Sequence, residues 1–104
     1  MPITSARVSP VIVTYRSARL VEQISQTVSL FNHFVIVDNS VDANDTLLSQ
    51  LNAKFSHGSY FQNSRNLGFG AGNNLGLKHV NTEFALIINP DVEIDAQATQ
   101  ALIA

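Results

Sequence analysis

NSRNLGFGAGNNLGLKHVNTEFALIINPDV, residues 63–92, is the stretch that decides the architecture. A polar loop carrying Arg65 and Asn66 leads into a glycine-rich turn that feeds a helix from Gly68 to Val80. An apolar strand from Glu83 to Ile88 follows and ends on Asn89-Pro90-Asp91. A carboxylate delivered at the C-terminal tip of a buried strand, beside a backbone-open loop, is how an α/β sheet holds a charged ligand and its cation. The centre of that strand, FALII, is continuously apolar, which predicts cover on both faces.

Working back from it, VSPVIVT (8–14) is a first β-branched strand, with Pro10 marking its beginning because proline cannot donate to a ladder. Ser17 is the expected N-cap of a helix reaching Phe31, in which Leu20, Ile24, Val28 and Phe31 recur at three- and four-residue steps. Phe34 to Val37 is a second strand, ending at Asp38-Asn39-Ser40. After a turn over residues 41–45, Leu47, Leu48, Leu51 and Phe55 form the stripe of a second helix, which Gly58 terminates, and Tyr60-Phe61 begin a short third strand. Asp95 would cap a last helix from Ala96 to Ile103. Of the third helix, Leu75, Leu77 and Val80 are expected to be partly buried.

The order βαβαβαβα implies an α/β, Rossmann-like, mostly parallel sheet with right-handed crossovers. In such a sheet ligands gather at the carboxyl ends of the strands. Thr14-Tyr15-Arg16, Asp38-Asn39-Ser40, Arg65-Asn66 and Asn89-Pro90-Asp91 all fall there, so four separated loops are predicted to meet on one rim. Taken singly, each residue has a plainer role open to it. Asp38 can accept a hydrogen bond from a ribose or a base imide, or close an Asp-Asn-Ser turn on its own backbone. Arg65 can grip phosphate oxygens with its fixed fork, or be a solvated loop charge. Asp91 can ligate a divalent cation, with Glu93 in support, or serve as a turn residue.

Composition narrows the function classes. With 104 residues there is room for one domain, residues 1–104, and one core. Six basic and eight acidic residues give a net charge of −2 with no basic run, so no nucleic acid is expected as a partner. The absence of cysteine excludes disulfides and zinc thiolate sites. The N-terminus does not read as a signal peptide and no apolar run reaches the ~20 residues of a membrane span, so a cytoplasmic location is expected, with peripheral attachment to the inner face of the membrane as a variant. Gly68, Gly70 and Gly72 fall in the third turn, whereas a dinucleotide fingerprint belongs in the first. His33, His57 and His79 show no metal-ligand spacing and are assigned to structure or solvent.

VIVTYRS (11–17), FVIVDNS (34–40), RNLGFGAGNNLGLK (65–78) and ALIINPDVEI (85–94), in this order, resemble the nucleotide-sugar half of family 2 glycosyltransferases, and the third segment resembles the rhamnosyltransferase-like branch. Arg16 takes the place usually held by asparagine. Asn89-Pro90-Asp91 stands where many relatives carry Asp-x-Asp. The resemblance implies a GT-A fold and a nucleoside-diphosphate sugar donor, a dTDP- or UDP-sugar. It places nucleotide contacts at Thr14, Tyr15, Asp38, Arg65 and Asn66, and Mg2+ or Mn2+ at Asp91. It further implies inverting hexosyl transfer to a glycan acceptor in surface polysaccharide biosynthesis. The segments matched are those of the donor half only, so the chain is expected to be truncated and not to transfer sugar alone. It is also expected to form a homo-oligomer through an uncovered sheet edge. The alternative is a non-catalytic nucleotide-binding or oligomerisation module that kept the fold.

Overall fold

The computed structural model describes residues 7–40, 45–92 and 97. Four strands, β1 (Val8–Thr14), β2 (Phe34–Asp38), β3 (Gly58–Gln62) and β4 (Phe84–Ile88), form one parallel sheet in the order β3-β2-β1-β4. The helices between them are α1 (Val21–Val28), entered through a 3-10 turn at Ala18–Leu20, α2 (Leu47–Lys54) and α3 (Gly68–Leu77). The α/β, Rossmann-like reading therefore holds. The expected last helix and its cap Asp95, Glu93, and most of the turn after Ser40 lie outside the described residues, Gln97 apart.

The alternation of β1 and β2 divides the core into two faces. Ile12, Phe34, Ile36 and Ile88 pack with Ile24 and Val28 of α1 and Leu47 and Leu51 of α2. Val11, Val13, Val35 and Val37 meet Leu75 of α3 on the other face. Both central strands are buried along their whole length, which is why they read as unbroken β-branched runs. Each such side chain contributes about 1.5–3 kcal/mol on burial. The ladder to β2 begins at Val11, directly after Pro10, so the missing donor falls before that pairing starts.

Three local expectations are corrected. Ser17 does not cap a helix: its hydroxyl accepts the Tyr15 N–H at 3.3 Å and the chain makes a 3-10 turn before α1. Leu77 is exposed rather than partly buried, because α3 turns Gly72 and Gly76 to the sheet. Among the described residues β4 is not covered on both faces. Only Ile88 is buried, and Ile87 remains 49% exposed, since α3 sits over β1 and β2 and stops short of the β4 edge.

The histidines are structural, as expected. His79 stacks on Phe61 and His57 lies edge-on to Phe34. His33 bridges the N-terminal end of the sheet, with Nδ1 3.5 Å from the Ser9 hydroxyl and Nε2 3.1 Å from that of Ser59. Partial burial, and to a lesser extent His57, hold its pKa below the ordinary 6.5. Between the lowered folded pKa and 6.5 the unfolded chain binds the extra proton, so stability present above pH 6.5 is lost as pH falls below it. Urea midpoints measured from pH 7.5 to 5 should decline across that window, and His33→Gln should flatten the decline.

Candidate functional site

The register assembles the rim. Thr14, Asp38 and Gln62 are aligned partners at the ends of β1, β2 and β3. Carrying the β1–β4 register two residues past Ile12–Ile88 sets Pro90 beside Thr14. Asp38 and Asp91 therefore lie at the same end of the sheet, on strands flanking β1. Two strand spacings correspond to roughly 10 Å.

Asp38 is fully buried. One carboxylate oxygen accepts the Ser40 N–H at 3.0 Å, which is the Asp-Asn-Ser turn; the other has no partner among the described residues. The hydroxyl of Thr14 alongside it is also buried and unpartnered. Leaving a buried polar atom unpaired costs about 1–3 kcal/mol, so a neighbouring pair of them marks a place where a ligand donor would be satisfied. The second face of the rim is tied by amides, of which sequence reasoning singles out only Asn39, as part of the Asp38-Asn39-Ser40 tip. Asn39 donates to the Gly68 carbonyl at 3.0 Å and accepts from the Asn63 side chain. Gln62 donates to the Ser40 carbonyl. Asn73, on α3, is buried, and its side-chain oxygen has no partner among the described residues. Its place in a run of two asparagines was visible, but nothing in the run showed which one faces inward.

Beside this polar floor an open cleft of about 390 Å³ lies over the β1 and β4 tips. Tyr15, Ser17, Arg19 and Leu20 form one wall, Phe69 from the start of α3 another, and Asn89, Pro90 and Asp91 the third. Tyr15 and Phe69 are 46% and 51% exposed, large aromatic surfaces left bare at the mouth. Gln23 of α1 donates to the Asp91 carbonyl at 2.7 Å and Val92 closes a turn on Asn89, which fixes the loop while its carboxylate stays at the surface.

Of the predicted site residues, Tyr15 and Asp91 line this cleft, and Thr14 and Asp38 pair on the adjoining floor. Arg65 and Asn66 are exposed outside its lining. Asn66 has a local role, because its side chain accepts the Gly68 N–H at 2.9 Å and holds Gly68 at φ 82°, opening α3. Arg19 and Phe69 were missed, because a helical surface arginine and an aromatic inside a glycine run carry no signal without the backbone path between them.

Arg16 stands out. It has φ 49°, the one positive-φ non-glycine among the described residues. A left-handed backbone costs such a residue about 1–2 kcal/mol, and much less for asparagine or glycine. Its N–H donates to the Ser40 hydroxyl and its guanidinium carbon lies 5.3 Å from the centre of the Tyr15 ring.

The sequence model described as "Glycosyl transferase family 2" matches residues 10–104. The chain is 32% identical over 100 residues to the low-salt glycan biosynthesis hexosyltransferase Agl10 of Haloferax volcanii, covering 90% of this chain and 31% of that protein. It superposes on the crystal structure of S. aureus TarS with TM-score 0.72 at 22% identity, covering 93% of this chain and 19% of TarS. For the TarS 1–349 structure the TM-score is 0.74 at 22% identity, with 93% and 31% covered. The chain thus spans about a third of the length of the curated relative, and TarS shares its fold.

Proposed function

Because the chain belongs to glycosyl transferase family 2, we propose that residues 1–104 form a single nucleotide-sugar-binding domain. Its donor is a dTDP- or UDP-sugar of the hexosyl class, with rhamnose as the branch resemblance suggests. Transfer goes with inversion to a glycan acceptor in cytoplasmic assembly of surface polysaccharide. The relative named for hexosyl transfer in glycan biosynthesis supports this direction.

The observation that carries the reading is the shared rim. The half-satisfied, buried Asp38 with Thr14 offers acceptors to the base or ribose, and Asp91 faces the cleft two strands away. Tyr15 and Phe69 supply faces for stacking, and Arg65 and Asn66, exposed outside the cleft lining, are assigned to the phosphates from the loop before α3. The carboxylate of Asp91 and the amide oxygen of Asn89 are hard donors that suit Mg2+ or Mn2+. Among the described residues no three Asp, Glu, His or Cys side chains converge, so donor oxygens and water would complete the shell. Bound there, the cation would stabilise the departing diphosphate. The chain covers 31% of the hexosyltransferase relative, and we assign to residues 1–104 donor binding without transfer.

Calorimetric titration with uridine and thymidine diphosphates, with and without Mg2+ or Mn2+, tests the reading. Asp91→Ala should abolish the metal-dependent increment in affinity. Absence of nucleotide binding at millimolar concentration in every condition would discard it and favour a module that kept the fold for assembly. Among the described residues no strand lies beyond β4, and Phe84 and Ile87 are exposed, which supports self-association in either case. A mass independent of concentration in sedimentation equilibrium would exclude that homo-oligomer.

A further inference from the structure

We infer that Arg16 and Arg19 act as an anion-binding pair that holds the donor's diphosphate from the β1 wall of the cleft, so that nucleotide binding does not depend on the cation at Asp91 alone. The inference rests on the donor-site reading above.

Three observations converge on these two cations. The ion pairs among the described residues are Arg7–Glu83 and Lys54–Glu22, so no carboxylate of the described residues neutralises Arg16 or Arg19. Arg19 lines the cleft from the 3-10 turn. Arg16 lies three residues earlier, its guanidinium set against the Tyr15 ring that forms the same wall. A guanidinium packed on an aromatic face is pre-organised and keeps its N–H fork free for a planar pair of oxygens.

The backbone adds a second argument. Arg16 occupies a left-handed conformation that asparagine or glycine would adopt with little strain. Ser40 holds its N–H, and the Tyr15–Ser17 turn brackets it, so the conformation is imposed by the fold rather than chosen by the side chain. A strained residue retained at a ligand rim points to a use for its side chain. Across the cleft, the Asn89-Pro90-Asp91 tip brings one carboxylate. A single carboxylate holds a divalent cation weakly, so the negative charge of a diphosphate needs a second source of compensation. Arg19 on the facing wall and Arg16, set against the Tyr15 ring of that wall, provide it through charge-assisted, bidentate contacts to phosphate oxygens.

The test is titration of uridine diphosphate and thymidine diphosphate into the wild-type chain, Arg16→Asn and Arg19→Gln, each in excess EDTA and in excess Mg2+. Uridine, followed by saturation-transfer NMR, serves as the phosphate-free probe. The wild type should retain measurable nucleotide binding in EDTA, weakening as salt is raised. Each variant should lower that metal-free affinity about tenfold, the effect of losing one charge-assisted contact, and leave uridine binding unchanged. Arg16→Asn should at the same time raise the melting temperature, because it relieves the left-handed backbone. Tighter folding with weaker binding is a split that misfolding cannot produce, and Arg19→Gln, on an exposed turn, carries the test independently. If the wild type binds nucleotide in Mg2+ but loses all binding in EDTA, or if both variants bind as the wild type does, the arginine pair is overturned while the donor site stands. If no nucleotide binds in either medium, both readings fall.

Discussion

Replacing Phe34 by alanine is expected to cost about 3–5 kcal/mol, the largest loss available to a single side chain here. The ring is fully buried and forms the hub of an aromatic cluster. Phe55, His57 and Tyr60 approach it edge-on, with centroids at 6.0, 5.2 and 5.7 Å. Edge-to-face contacts add to the area term. Tyr60 itself donates to the carbonyls of Phe55 and Leu51, and burial raises its pKa to about 12, so it stays a donor through the physiological range. Removing the ring opens a cavity beneath that pair of bonds. Small domains have only about 5–15 kcal/mol in total, so the urea midpoint should fall by roughly a third or more. The register partner of Phe34 is Gly58, where an added Cβ would run into the ring. Gly58→Val should therefore destabilise the wild type yet recover part of the loss in the alanine background. A double-mutant cycle that showed additivity would refute this account of the cluster.

Gly76→Ala is expected to destabilise the chain by about 1–3 kcal/mol, although alanine is the better helix former by about 1 kcal/mol. A Cβ at Gly76 would come within 2.5 Å of the Val11 Cγ1 and 3.3 Å of the Val37 Cγ2. Both valines stand on the two central strands and have little rotamer freedom to yield. α3 would have to lift, and with it the turn that carries Phe69 into the cleft. Gly70, on the same helix, has nothing within 4 Å of an added Cβ. Gly70→Ala should accordingly be neutral or stabilising. Opposite signs for these two glycines of one helix, read from thermal midpoints, would establish that α3 is held by close approach and not by helix propensity. Equal effects would refute it.

The contrast between these glycines also explains what the sequence could and could not convey. The strands were legible because burial on two faces demands β-branched runs, and VIV and FVIV meet that demand along their whole length. The rim followed, since parallel strands in alternation with helices leave their carboxyl ends together whatever the order in the sheet. FALII misled for the same reason. An apolar run is required of a doubly covered strand, but it does not by itself prove that cover, and among the described residues only Ile88 of β4 is buried. Ser17 looked like a cap by residue type, whereas its partner is the backbone of Tyr15. The site was half visible. Asp38, Thr14 and Asp91 sit at strand tips, where position in the chain fixes position in space. Arg19 and Phe69 arrive on helical turns, whose facing depends on one residue of phase. Arg16 could be seen as a departure from the family's asparagine, and its left-handed backbone gives that departure a physical meaning.

The strand order β3-β2-β1-β4 has a consequence for how the sheet comes together. β1 joins β2 across 24 residues, as in Val11 with Val35, but it joins β4 across 76, as in Val8 with Phe84. Closing the longer loop costs about 1 kcal/mol more in chain entropy. The early nucleus is then expected to be a three-strand unit of consecutive crossovers, with β4 and its Asn89-Pro90-Asp91 tip arriving last and leaving first.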